Sequence, residues 1–324
     1  AGITGSAVAD ASAIGSILVP AMVEEKYEKK FAAALTAAAS IVGPIIPPSI
    51  IAVIYSYCMG VSVAGLFVAG VIPGLMIGLG LMGYSYYISV KRGYPKHEFR
   101  ATPAKVWDAT RKAFLALLMP IIIVGGILSG VFTATEAAAV AVGYSLIIGF
   151  FVTKNFKVQD LAQLFISTAA TSSMVFIVIG TSSILQWVVA RENVGVLVGE
   201  LFKSISSSPY HILFIINIIY LIAGMLIDTT PAILLFAPIL APIAVKAGVH
   251  PLHLGIITEV NLAIGLATPP VGVSLFVTSG ITKTPLEDLM KAILPLLLIE
   301  IIVLFLITYV PSLTMFLPKL FGYA

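Results

Sequence analysis

The chain has 324 residues, of which 59% are hydrophobic and only 10% charged, with a formal net charge of +3. A soluble domain carries about 25% charged residues because water must wet its surface, so this composition belongs to a polytopic helical membrane protein. Cys58 is the single cysteine, which leaves no disulfide framework or paired-cysteine metal site, and so small a positive balance reflects loop asymmetry rather than a nucleic-acid footprint.

In chain order, the opening AGITGSAVADAS is loop-like and has no signal-peptide pattern, so the chain is expected to be a piece of something longer. Phe31–Val90 is sixty residues without Asp, Glu, Lys, Arg or His. Ala113–Thr135, Leu161–Ala190 and Val260–Thr282 are also uncharged, and each reaches the ~20 residues needed to span hydrocarbon. These continuous apolar runs are not the alternating strands of a β-barrel. The basic loop Lys91–Lys112, with Lys96, Arg100, Lys105 and Arg111, faces the cytoplasm by the positive-inside rule. Spans are then predicted at Ala113–Gly130, Val131–Thr153, Leu161–Ala190 (interrupted at Gly180), Tyr210–Ile227 and Ala292–Pro318. Arg191–Ser208 is mixed and is expected along the interface.

Two regions, 11–60 and 229–282, are apolar yet cut by glycine and a Pro-Pro pair: Gly43–Ile50 reads GPIIPPSI and Gly265–Gly272 reads GLATPPVG. Proline removes a backbone donor and clashes with the preceding turn, so each pair should unwind its helix. Gly43, Pro47 and Pro48 stand 222 residues before Gly265, Pro269 and Pro270, whereas Asp10 and Pro20 stand 218 before Asp228 and Pro238. The chain therefore reads as a duplication with four residues of slippage. Each half is expected to hold an Asp-bearing tip, a half-length helix, a loop, another helix and a Pro-Pro break. Paired interrupted segments are the sequence pointer to a secondary transporter's binding site. Bare carbonyls at such a break suit Na⁺, and bare N–H groups suit an anion. Tips at Gly5–Asp10 and Gly224–Thr230 are expected to face the breaks.

TGSAVAD, GPIIPPSI, GVFTATEAAAVAV, LIDTTPA and GLATPPVGV together resemble the large membrane subunit of tripartite ATP-independent periplasmic (TRAP) transporters. The resemblance covers the whole chain. It implies an all-α elevator-type carrier with two inverted repeats, re-entrant hairpins and discontinuous helices, in the bacterial inner membrane. It also implies Na⁺ coupling, a small four-helix membrane partner and a periplasmic binding protein that delivers an organic acid. Transport-domain parts are expected at 1–60 and 209–282, with scaffold at 61–112, 113–208 and 283–324. About a hundred residues corresponding to those ahead of the second hairpin are expected before Ala1.

The substrate contacts so implied are Ser6, Asp10, Ser49, Asp228 and Thr229. One Na⁺ would meet carbonyls near Ser6, Gly43, Ile46 and Pro48, and another Gly265, Thr268 and Pro270 with a Thr229 or Thr230 hydroxyl. Intramembrane carboxylates are functional candidates by default. Asp10 is expected partly to cap its helix, and Asp228 to read cargo hydroxyls, which favours sialic acid over a C4-dicarboxylate. Ser49, opening the helix after the first break, is a candidate donor to a carboxylate. Thr133–Glu136 has capping-box spacing, and His250 and His253 read as loop residues. Trp107, Trp187, Tyr84, Tyr86 and Tyr87 read as interfacial anchors. Competing readings are a stand-alone sodium/dicarboxylate symporter and an intramembrane aspartyl protease built on two aspartates. The protease reading lacks the YD and GxGD contexts and has no use for duplicated breaks.

Overall fold

The computed structural model describes residues 4–95, 102–154, 156–206 and 208–324. Among them no strand forms, and seven helices are long and apolar enough to cross a bilayer. The chain is thus an all-α, multi-pass membrane protein. It divides into two compact units, Ala1–Tyr94 with Val178–Ala324, and Pro95–Ile177. Lys96 and Arg100 of the basic loop lie outside the described residues.

The larger unit is built on the duplication. Helix α1 (Ala7–Glu24) leads to α2 (Lys29–Ser40), the first Pro-Pro segment, α3 (Ile50–Met59) and α4 (Val63–Lys91). Later, α9 (Pro209–Leu226) folds back on α10 (Thr229–Lys246), followed by α11 (Pro251–Ala267), the second Pro-Pro segment, α12 (Val273–Thr282), α13 (Leu286–Tyr309) and α14 (Ser312–Leu320). Both α1 and α10 have eighteen residues and start 222 apart. The four-residue slippage therefore disappears: Ser6 and Asp228, the two N-caps, are the equivalent pair, not Asp10 and Asp228. One turn of α-helix is 3.6 residues, so a four-residue slip lands on the same helix face, which is why the sequence match was deceptive. These hairpin helices are also not half-length, since eighteen residues rise about 27 Å. The short helices are α3 and α12, ten residues each, after the breaks.

The repeats pack by exchange. Helix α3 of the first half lies on α10 of the second, and α12 of the second lies on α1 of the first. Likewise α2 packs on α13, and α11 on α4. Helices of both halves thus flank each break; the first break is largely buried, whereas Pro270 and Val271 of the second are exposed. The centre is α11, whose residues from Leu252 to Ala267 are all buried. In a membrane, helices associate through close packing and interhelical hydrogen bonds rather than by escape from water. Accordingly α2, with the sequence KKFAAALTAAAS, offers small side chains for close approach. A chain of buried polar groups also ties the second half together: Asn261 Nδ2 donates to Asn217 Oδ1 at 2.7 Å, and Asn217 Nδ2 donates to Thr308 Oγ1 at 3.1 Å. Asn261→Ala would leave the Asn217 carboxamide oxygen without this donor. Thermal melting in lipid nanodiscs should show a loss of about 1–2 kcal/mol.

Several other expectations change. His253 is not in a loop but buried in α11, with its Nδ1 2.6 Å from Thr314 Oγ1, and His250 is the N-cap of that helix. Gly180 does not interrupt α7 (Val158–Arg191), because a glycine weakens a helix only modestly. The last segment is not one helix: it breaks at Val310–Pro311, where proline withdraws a backbone donor, and continues as α14. The stretch after α7 forms α8 (Val194–Ile205). In α10, Pro238 leaves the Leu234 carbonyl without its helical donor, and Gln186 Nε2 supplies one at 3.0 Å.

At the α1–α2 turn, Glu28 is paired with Arg92 and, at 2.7 Å, with Lys30. The Lys30 hydrogen bond, with the Arg92 charge behind it, holds the Glu28 carboxyl below its usual value.

In the smaller unit, α5 (Pro103–Leu128) begins inside the expected basic loop, so Lys105 and Arg111 are helical. It packs on α6 (Ala134–Ile147), which continues as a π-helical turn at Ile148–Val152. Thr133 and Glu136 form the expected reciprocal capping box, and Tyr144 donates to the Leu115 carbonyl at 2.8 Å.

Candidate functional site

Both Pro-Pro segments are broken. After Ser40 the chain makes tight turns, with Gly43 N–H bonded to Ser40 O at 3.1 Å and Ile46 N–H to Val42 O at 3.0 Å. In a continuous helix the Gly43 and Pro44 carbonyls would accept from residues 47 and 48, but both are proline and have no N–H. In the second break, Thr268 N–H caps the Gly265 carbonyl at 3.0 Å, and Leu266 loses its donor to Pro270. Gly272 restarts the chain in the left-handed region at φ 51° and caps α12. Its missing side chain leaves the Thr268 carbonyl free to approach, since a Cβ there would sit 2.9 Å from that oxygen. Both Pro-Pro peptide bonds are cis.

The tips meet the breaks as expected. A Cβ on Gly5 would lie 2.7 Å from the Pro48 carbonyl oxygen, and one on Gly43 would lie 2.0 Å from Asp10 Oδ2. In the other half, a Cβ on Gly265 would lie 2.5 Å from the Gly224 backbone. Glycine at these points lets backbone and carboxylate come into direct contact. Helix α4 repeats the device with Gly70 and Gly74, one turn apart, against Ile45 and Ile46 of the first break.

The structure therefore brings Ser6, Asp10, Gly43 and Pro48 into one cluster. Ser6, not Asp10, is the N-cap, with its Oγ accepting from Ala9 N–H at 3.4 Å. Asp10 sits one turn further on, is 3% exposed, and accepts from Thr4 Oγ1 at 2.9 Å. Its carboxylate thus bonds to the tip at Thr4, while Ser6 holds the N-cap position. Asp228 holds the N-cap position of α10, is exposed, and makes no side-chain bond to that first turn. Thr229 is buried and Thr230 half-buried beside it. Gly265 and Thr268 share the second break, where the Thr268 hydroxyl donates to Ile264 O at 2.7 Å. Pro270 is exposed there, and Ile46 is half-buried in the first break.

Ser49 caps α3, its Oγ accepting from Ala52 N–H at 3.0 Å, while its hydroxyl donates to Glu259 Oε1 of α11. Glu259 is 1% exposed. Sequence reasoning passed over it, although an isolated carboxylate beside a 23-residue uncharged run is itself the signal. Ser274, in the first turn of α12, is also fully buried and was missed; a serine in an apolar helix carries no comparable signal. No group of three or more His, Cys, Asp or Glu gathers to hold a metal among the described residues. The oxygens at the breaks are carbonyls and hydroxyls, a donor set that suits a hard cation.

Residues 1–313 match the family model described as the tripartite ATP-independent periplasmic transporter, DctM component. The chain belongs to this family. It is 43% identical over 317 residues to the isethionate TRAP transporter permease protein DctMQ of Oleidesulfovibrio alaskensis, covering 98% of the chain and 50% of that protein. It is 40% identical over 326 residues to the sialic acid TRAP transporter large permease protein SiaM of Vibrio cholerae, covering 99% and 75%. It is 38% identical over 323 residues to the C4-dicarboxylate TRAP transporter large permease protein DctM of Pseudomonas aeruginosa, again covering 99% and 75%. The chain thus spans about half the length of the first of these relatives and three quarters of the other two. Family membership makes it a transporter component rather than a protease, and places it in the bacterial inner membrane.

Proposed function

We propose that this chain is the large permease of a three-part, Na⁺-driven importer that carries an organic acid anion by an elevator movement. A periplasmic protein delivers the acid, and a small four-helix membrane subunit completes the assembly. The observation that carries the proposal is the pair of proline-broken helices, each pressed against a hairpin tip. Carbonyls of Gly43, Ile46 and Pro48 with Ser6 form one candidate Na⁺ site, and Gly265, Thr268 and Pro270 with Thr229 or Thr230 the other. Helix α3 opens with the Ile50 and Ile51 N–H groups ahead of its own first bonds, a favourable place for the anion. Asp228, acceptor-only when ionised, reads hydroxyls of the cargo. The halves move together because each post-break helix is packed on the other half's hairpin, and the load is released where Na⁺ is dilute.

Uptake into proteoliposomes holding the whole assembly tests this. A sodium gradient should drive accumulation of an acid such as sialic acid, isethionate or a C4-dicarboxylate; equal uptake with choline in place of sodium would sink the coupling. Uptake without the binding protein would favour a stand-alone symporter. Asp228→Ala should lower uptake about tenfold or more with the melting temperature little changed, because the side chain is exposed and makes no cap bond.

A further inference from the structure

Helix α8 leaves a long groove open on the flank of the second hairpin. The space has a volume of about 750 Å³ and runs along α10 from Leu234 to Ala247, facing Leu185 and Val189 of α7 and Gly195 and Gly199 of α8. All of these residues belong to the larger unit. Thirteen helical steps make the groove about 20 Å long, against about 15 Å of hydrocarbon in one leaflet. Its walls are mainly apolar over this length, and the Gln186 amide is already spent on the Leu234 carbonyl. The charges gather at one end. A Cβ on Gly199 would lie 3.9 Å from Ile243 Cγ1, which sets α8 level with the last turns of α10. Glu200 and Lys203, just beyond that point on α8, therefore share an end of the groove with Lys246 in the last turn of α10. All three are exposed, and none has an ion-pair partner among the described residues. Lysines at the end of a helix of span length reach for the headgroup layer.

We propose that this groove holds one phospholipid, with an acyl chain along α10, its phosphate paired with Lys203 and Lys246, and an amine headgroup on Glu200. The charge pattern carries the choice. Two cations and a carboxylate answer a phosphate followed by an ammonium, and each such pair is charge-assisted. A glycerol headgroup serves the lysines but offers Glu200 only neutral hydroxyls, which are weaker partners. An acyl chain gains little by leaving lipid for an equally apolar groove, so the headgroup decides which lipid is kept. Gly195 makes the room: nothing stands within 4 Å of where its Cβ would be. The proposal stands apart from the transport reading, since it needs only the groove and its charged end.

Native mass spectrometry of the intact assembly tests it, with dioleoyl phosphatidylethanolamine or phosphatidylglycerol added after delipidation. The wild type should hold one phosphatidylethanolamine, about fivefold more tightly than phosphatidylglycerol. Replacing Lys203 and Lys246 together by alanine should weaken both lipids about tenfold, whereas Glu200→Gln should remove the preference between them. Gly195→Leu fills the groove without meeting a neighbouring atom, so it should expel the lipid while the melting temperature of the delipidated protein holds or rises. Glycerophosphoethanolamine, a headgroup without chains, should not compete. Retention of the lipid by the Gly195→Leu variant, equal wild-type affinity for the two headgroups, or competition by glycerophosphoethanolamine overturns the proposal. So does an assembly that binds neither lipid, as it would if a helix of the small subunit filled the groove.

Discussion

Uptake is expected to fall by about a hundredfold or more when Pro269 and Pro270 are both replaced by alanine, while the permease still folds. The figure is the scale on which misplacing a reacting group by about 1 Å is felt. Two alanines restore backbone N–H groups opposite the Gly265 and Leu266 carbonyls and remove the ring clash with the preceding turn. Alanine is also the best helix former, so α11 should propagate through the break into α12. Stability should hold or rise, because the helix gains bonds that proline withheld. The lost quantity is the set of unpaired carbonyl and N–H dipoles, together with the bend that Gly272 makes at φ 51°. Sodium-dependent uptake in proteoliposomes, read beside a melting curve, separates this outcome from simple misfolding. Wild-type uptake by a well-folded double variant would show that the second break is only a bend.

Gly265→Val is expected to have a comparable effect on uptake by a different route. A Cβ at residue 265 would lie 2.5 Å from the Gly224 Cα and carbonyl carbon and 2.9 Å from the Gly224 oxygen. These are backbone atoms, so no side chain can swing aside, and α9 must retreat from α11. Overpacking of this kind costs about 1–3 kcal/mol, and the retreat also displaces the Asp228 tip. Both the melting temperature and uptake should drop. By contrast, a Cβ on Gly78 or Gly83 meets nothing within 4 Å, so Gly78→Ala on α4 should leave both nearly unchanged. Equal behaviour of the Gly265 and Gly78 variants would remove the tip–break contact as a functional element.

Much of this arrangement was legible in the sequence because its signals are local. Uncharged runs of span length gave the class, and prolines at 47, 48, 269 and 270 gave both breaks, since the missing N–H is a property of the residue itself. The Thr133–Glu136 cap was legible for the same reason. What failed depends on contacts between distant parts. Asp10 looked like a cap because Asp caps helices, but only the fold shows that Ser6 takes that position and that Gly43 leaves room for the carboxylate. Glu259 and Ser49 are 210 residues apart, and nothing local to either announces the other. The exchange of post-break helices between the repeats was likewise invisible, because it is a property of packing and not of pattern.

Sodium binding tests the central claim most directly. The intact permease in nanodiscs is titrated with NaCl against choline chloride at constant ionic strength, with and without isethionate or sialic acid, while its melting temperature is followed. If the two breaks hold the cation and the anion, sodium raises the melting temperature saturably, and each ligand tightens the other's binding by the same factor. Both effects are diminished in the Pro269→Ala, Pro270→Ala variant, which keeps only the first break. Identical curves in sodium and choline, or a sodium effect that survives in that variant undiminished, would contradict it.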